Sequence, residues 1–292
     1  MPISHIRRFV ILSLLVSPLA PCSADEAPGG APIHIHAAGS LGGALSAIAA
    51  RYQQETGETI AMVFGPSGLL REAIERGNEA DLFLSADRQH PQRLAAEGKA
   101  APPVVFISNS LCATARADHP LTQAQLLDYM LDPATKIGTS TPKADPGGDY
   151  AMALFAKAET VRRGAEQILR EKARALVGGA PPEPPPAQTN RGVPQSGSAP
   201  TKKFLLDGSV DLFIGYCSRR DIHPDPELVS VPVPEALAIR ADYALALLRD
   251  KSPERQAAAA RFALYLMTPS AQAIFADYNF VPIVALSEFR SR

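Results

Sequence analysis

The stretch IHIHAAGSLGGALSAIAARYQQETG, residues 33–57, decides the fold class because its hydrophobic period changes once. Ile33 to Ala38 reads as a short strand. From Leu41 the spacing is helical, with Leu41, Leu45, Ile48, Ala49 and Tyr52 along one face, and Gly57 stands where a glycine closes a helix. Gly39-Ser40 is the turn between strand and helix.

The same unit recurs along the chain. Thr59 to Phe64 is a second strand, Gly65-Pro66-Ser67-Gly68 a tight turn, and Leu69 to Arg76 a helix closed by Gly77; Asp81 to Ser85 is a third strand. Val104 to Ile107 and Leu111 to Ala115 read as two strands separated by the polar Ser108-Asn109-Ser110. Lys136 to Thr139 is another, followed by the loop Ser140 to Gly148 and one long helix from Asp149 to about Val177. Gly178 to Pro200, rich in Pro, Gly and Ser, reads as a long loop. A helix from Thr201 to Leu206 follows, then a turn at Asp207-Gly208 and strands over Val210–Tyr216, Val229–Val233 and Ala241–Leu248. Helices over Arg255–Met267 and Ser270–Tyr278 complete an α/β chain with largely parallel sheets.

Gly39-Ser40, Gly65-Pro66-Ser67-Gly68 and Asp145-Pro146-Gly147-Gly148 all place small residues where a helix begins. The first N–H groups of a helix have no internal partner and lie at the positive end of its dipole. Glycine lets the backbone approach a ligand closely and serine adds a hydroxyl donor. Several such turns facing one cleft would make a cage of neutral donors suited to a small, fully ionised oxyanion. Taken singly, each serine is an ordinary N-cap. Asp149 is expected to cap the helix that follows it, and with Asp145 it flanks Gly147 as a possible acceptor.

With 292 residues there is length enough for two lobes, each with a core. The 29 Lys+Arg against 30 Asp+Glu leave a net charge of -1, so no long-range field gathers nucleic acid or an anionic membrane. Trp is absent, and any aromatic wall must come from Tyr or Phe. At the N-terminus, Arg7 and Arg8 precede the apolar run Phe9 to Val16, then Pro18, Pro21 and Cys22-Ser23-Ala24. This order reads as a signal peptide cleaved after Ala24, which implies export. Cys112 and Cys217 then remain, either paired in a disulfide or as two separate buried thiols. No Cys/His cluster has zinc-ligand spacing.

Six ordered motifs resemble the periplasmic molybdate-binding proteins of ABC importers over Ile33 to Val284. They are AAGSL (37–41), FGPSGLL (64–70), EADLFLSAD (79–87), DPGGDYA (145–151), GSVDLFIGY (208–216) and TPSAQAIF (268–275). The resemblance implies a two-lobed periplasmic-binding-protein fold of the type II class, each lobe a mostly parallel sheet flanked by helices, with a hinge and an interlobe cleft. Residues 25–108 would start the first lobe, 109–235 form the second, and 236–292 return to the first. It also implies an oxyanion, molybdate or tungstate, held without a cation or cofactor. Matched motif by motif, the ligand residues are Ser40, Ser67, Gly147, Ser198 and Tyr216. Ser198 follows the Pro-rich loop, where this chain departs from the family pattern. The partner would be an ABC permease, with the binding protein acting as a periplasmic monomer.

Two other classes have weaker support in the residues. A hydrolase nucleophile turn needs a glycine at position 69, where Leu69 stands, and no histidine has an evident orienting partner. His34 and His36 face the same side of a strand, but no third metal ligand is identifiable. A binding module of the same fold for another small anion, or an extracytoplasmic sensor, is the nearer alternative.

Overall fold

Strand β1 (Ile33–Ala38) lies inside a parallel trio, paired to β2 (Ile60–Gly65) on one side and to β3 (Leu82–Ser85) on the other. The computed structural model describes Met1 and residues 31–119, 121–179, 198–219 and 221–283. The signal-peptide reading and most of the Pro-rich loop fall outside these residues. After β1 a single 3-10 turn (Gly39–Leu41) leads into α1 (Gly42–Thr56), which ends at Gly57 in the left-handed conformation at φ 75°. β9 (Arg240–Leu247) runs antiparallel to β3 and closes this first sheet against β4 (Val104–Arg116).

β4 corrects the expectation of two strands. Its 13 residues run unbroken through Ser108-Asn109-Ser110. Up to Ser110 it pairs with β9; from Leu111 it pairs with β7 (Leu212–Tyr216), and from Cys112 also with β8 (Leu228–Pro232), both antiparallel. The polar triplet is tolerated because Ser108 and Asn109 have bonded side chains and Ser110 is exposed. Ser108 Oγ donates to Asp242 Oδ1 at 2.8 Å, and Asn109 Nδ2 donates to Ser218 Oγ at 2.9 Å. A satisfied polar group does not break a ladder.

The second sheet continues from β7 through β5 (Ile137–Ser140) to β6 (Ala173–Val177), all parallel. Here the single long helix expected over 149–177 is replaced by three elements: α5 (Pro146–Val161), α6 (Ala165–Lys172) and β6. Arg162 leaves the first helix in an extended conformation, Gly164 at φ 84° caps the start of the second, and the last five residues join the sheet edge beside β5. α7 (Ser198–Leu206) takes in the last three residues assigned to the Pro-rich loop. Two short helices not expected from periodicity, α3 (Gln89–Ala96) and α4 (Leu126–Leu131), fill connections; α2 (Ser67–Glu75), α8 (Pro253–Leu266) and α9 (Pro269–Asp277) lie near their expected positions. Each sheet has its own core: Leu45, Tyr52, Tyr243, Phe262 and Phe275 in the first lobe, and Met130, Leu154, Phe155, Leu169 and Leu212 in the second.

His36, 4% exposed on β1, has its pKa pushed down to about 4 by burial and, secondarily, by His34. The unfolded chain protonates this group near 6.5 while the folded chain resists until about 4. Its contribution is therefore intact above pH 6.5 and lost as pH falls through that window. On the order of 3 kcal/mol should disappear, and His36→Leu should flatten that part of a stability-versus-pH curve measured with urea. A His36→Leu curve of unchanged slope would place the acid lability elsewhere.

Candidate functional site

The turns after β1, β2 and β5 and the end of β7 carry the residues that the motifs single out. Ser40, in the turn after β1, has its Oγ 2.8 Å from the Tyr243 hydroxyl. Ser67 is the first residue of α2 and is 1% exposed. Its Oγ accepts from Ala86 N at 3.0 Å, and among the described residues its own O–H has no acceptor.

Gly147 is the second residue of α5, with Asp145 as the N-cap; Asp145 Oδ1 accepts from Gly147 N at 2.9 Å. That overturns the expectation that Asp149 caps this helix. Asp149 lies within the first turn and instead accepts from Lys143 N, tying down the loop before the helix. A Cβ on Gly147 would sit 3.2 Å from Ser140 Oγ and 3.3 Å from Tyr216 Cε2, so glycine keeps this wall close to its neighbours.

Tyr216, the last residue of β7, carries a buried hydroxyl with no hydrogen-bond partner among the described residues. Leaving such a group unpaired costs about 1–3 kcal/mol, which marks it as waiting for an acceptor. Its ring packs edge-on against Tyr243 at 5.6 Å and Tyr150 at 6.3 Å between centroids. Burial raises the Tyr216 and Tyr243 pKa values, so both are neutral O–H donors at ordinary pH. Ser198 opens α7, which packs on β4, β6 and β7; its side chain lies outside the description.

Gly147 and Tyr216 thus meet directly, and Ser40 joins them through Tyr243. Ser67 is linked from the opposite lobe: Tyr150 Oη donates to Ala86 O at 3.2 Å, and Ala86 N donates to Ser67. The lobes also touch through backbone, with Gly68 N donating to Ala144 O at 2.9 Å. A groove of about 370 Å³, lined by Asp87, Arg88, Pro146, Asp149, Tyr150 and Asp242 among others, opens beside the start of α5.

Tyr243, Asn109 and Ser140 escaped the sequence reading. Asn109 Nδ2 donates to Tyr243 Oη at 3.3 Å, so the crossing strand supports the hydroxyl that meets Ser40. A lone tyrosine in the apolar run of β9 was the available signal, since a buried phenol needs a polar partner. Among the described residues no group of three His, Cys, Asp or Glu side chains could hold a metal ion. Cys112 and Cys217 are joined in a disulfide, which fixes the residue after Tyr216 to β4.

Residues 33–281 match the family model for bacterial extracellular solute-binding proteins. The chain belongs to that family. An uncharacterised protein of Pasteurella multocida is 36% identical to this solute-binding protein over 190 residues, covering 64% of this chain and 75% of the relative. The molybdate-binding protein ModA of Escherichia coli is 31% identical over 137 residues, 43% of this chain and 51% of that one. Among solved structures, the periplasmic molybdate-binding protein of Azotobacter vinelandii aligns with TM-score 0.66 at 18% identity, over 85% of this chain and 98% of its own. The sulfate-binding protein SubI of Mycobacterium tuberculosis aligns with TM-score 0.70 at 19% identity, over 88% and 90% respectively. These likenesses establish the two-lobed fold of this solute-binding protein.

Proposed function

We propose that the chain captures a small tetrahedral oxyanion, molybdate or tungstate, in its interlobe cleft and delivers it to the permease of an ABC importer. Ser40, Ser67, Gly147, Ser198 and Tyr216 would hold the anion, and residues 1–24 would direct the chain to the periplasm before removal. The lobes would divide as 25–108 with 236–292 against 109–235.

The buried Tyr216 hydroxyl, unpartnered among the described residues, is the observation that carries this reading. A neutral donor set of phenol, serine hydroxyls and backbone N–H suits an anion with no proton of its own to donate. The 31% identity with the molybdate-binding protein of Escherichia coli favours the larger oxyanions over sulfate, the ligand named for SubI. Loss of one hydrogen bond to a charged ligand costs about 1–3 kcal/mol, so Ser67→Ala should weaken molybdate binding by that amount. Calorimetric titration of residues 25–292 with molybdate, tungstate, sulfate and phosphate, without added metal, tests the reading. Submicromolar binding of molybdate or tungstate is expected, with sulfate and phosphate much weaker. Silence toward all four would refute it, and unchanged affinity in Ser67→Ala would remove that serine from the site.

A further inference from the structure

A carboxyl group stands against the backbone donor of this otherwise neutral set. Asp145 occupies the N–H of Gly147, the very donor that the second lobe would offer a ligand. The same carboxyl oxygen lies 3.3 Å from the position of a Gly147 Cβ, as does Tyr216 Cε2. Gly178 packs so closely that a Cβ there would come within 2.6 Å of Asp145 Oδ2. The carboxyl therefore has little room to swing away when a ligand arrives.

We propose that Asp145 makes oxyanion capture proton-coupled and is a specificity-determining residue of the site. This rests on the oxyanion reading above and names what that site requires. An ionised carboxylate beside a dianion is repulsive in a poorly solvated cleft. The repulsion is removed when the complex takes up one proton from solution: the empty protein with Asp145 as carboxylate, plus a dianion and a proton, gives a complex in which the Asp145 O–H donates to the anion. A more basic oxyanion accepts that hydrogen bond more strongly. Molybdate is a stronger base than sulfate, so the shared proton discriminates between them in addition to size.

The surroundings agree. Burial already raises the Asp145 pKa, against the lowering effects of the Gly147 N–H and Ser140 and with a small addition from Asp149. The titratable groups coupled to it by charge are Asp149 on α5, Tyr216 on β7 and Tyr243 on β9; among the described residues no Lys or Arg is paired with it. No neighbouring cation therefore offsets its charge, and the proton is left to do so.

The test is calorimetry of the full mature chain with sodium molybdate between pH 6 and 8.5, in buffers of different ionisation heat. Wild type is expected to take up close to one proton per molybdate, with affinity rising toward roughly tenfold per pH unit as pH falls. Asp145→Asn keeps a good helix cap and should abolish both the proton uptake and the pH slope. It should bind molybdate at pH 8.5 at least about tenfold more tightly than wild type, a one-unit effect, and should discriminate less against sulfate. Asp149→Asn, on the outer edge of the groove, should keep the slope. Molybdate binding with no proton uptake overturns the inference while leaving the oxyanion reading standing. A slope that survives in Asp145→Asn overturns it as well. A wild-type protein that binds no oxyanion at any pH removes the oxyanion reading, and the inference with it.

Discussion

If the chain captures molybdate as proposed, Gly68→Ala is expected to weaken that binding by about 2–4 kcal/mol, roughly 30- to 1,000-fold, with little change in the stability of the ligand-free protein. Gly68 lies on the first lobe but faces the backbone of the second. A Cβ at this position would come 2.5 Å from Lys143 O and 2.8 Å from Ala144 O. Both are main-chain atoms that no rotamer change can move aside. The same step forfeits the hydrogen bond from Gly68 N to Ala144 O. Within α2 alanine is the better helix former, so the open form has no reason to suffer. The clash is felt only when the lobes meet. Calorimetry gives the affinity, and small-angle scattering with saturating molybdate should show a variant that stays wider than wild type. Wild-type affinity in Gly68→Ala would mean that the Gly68–Ala144 contact is not part of the ligand-bound state.

Removing the disulfide should have the largest effect on stability. Cys112 and Cys217 are 105 positions apart, with Cα atoms 4.9 Å from each other. Closing a loop of that length restricts the unfolded chain by an amount that chain-entropy arguments put at about 4.7 kcal/mol. The Cys112→Ala/Cys217→Ala double variant should lose roughly that much in urea unfolding of the ligand-free protein. A loss below about 1 kcal/mol would show that the bridge restricts the unfolded chain far less than its span suggests. Binding should suffer less than stability, because Cys217 N still donates to Ser110 O at 2.9 Å and Asn279 Nδ2 to Cys217 O at 2.7 Å. Those two bonds hold the backbone beside Tyr216 even without the sulfur link.

Much of the fold was legible because local signals and tertiary needs coincide in it. β1, the helix ending at Gly57 and the paired C-terminal helices were readable from period and caps alone. Where the reading went wrong, a polar or helix-compatible segment was recruited by a distant partner. Ser108-Asn109-Ser110 looks like a break until Asp242 and Ser218 are brought alongside. Residues 173–177 suit a helix until the edge of β5 offers them hydrogen bonds. The motif-matched residues Ser40, Ser67, Gly147 and Tyr216 occupy turns, helix starts and a strand end. Their supporting partners were not legible, because Tyr243 lies 203 positions from Ser40 and nothing near either residue announces the contact. Asp145 was visible beside Gly147, but only three-dimensional packing reveals that its carboxyl takes the glycine N–H.

β4 belongs to both sheets without interruption, and this sets the mechanics of the joint. A flexible tether would let the lobes wander through a broad range of angles. A hydrogen-bonded strand resists twisting along its whole length and returns to one resting angle, as a leaf spring does. In the proposed role the empty protein would then remain a poor imitation of the loaded one. Stiffness of that kind would keep an importer from spending ATP on a carrier that has nothing to deliver.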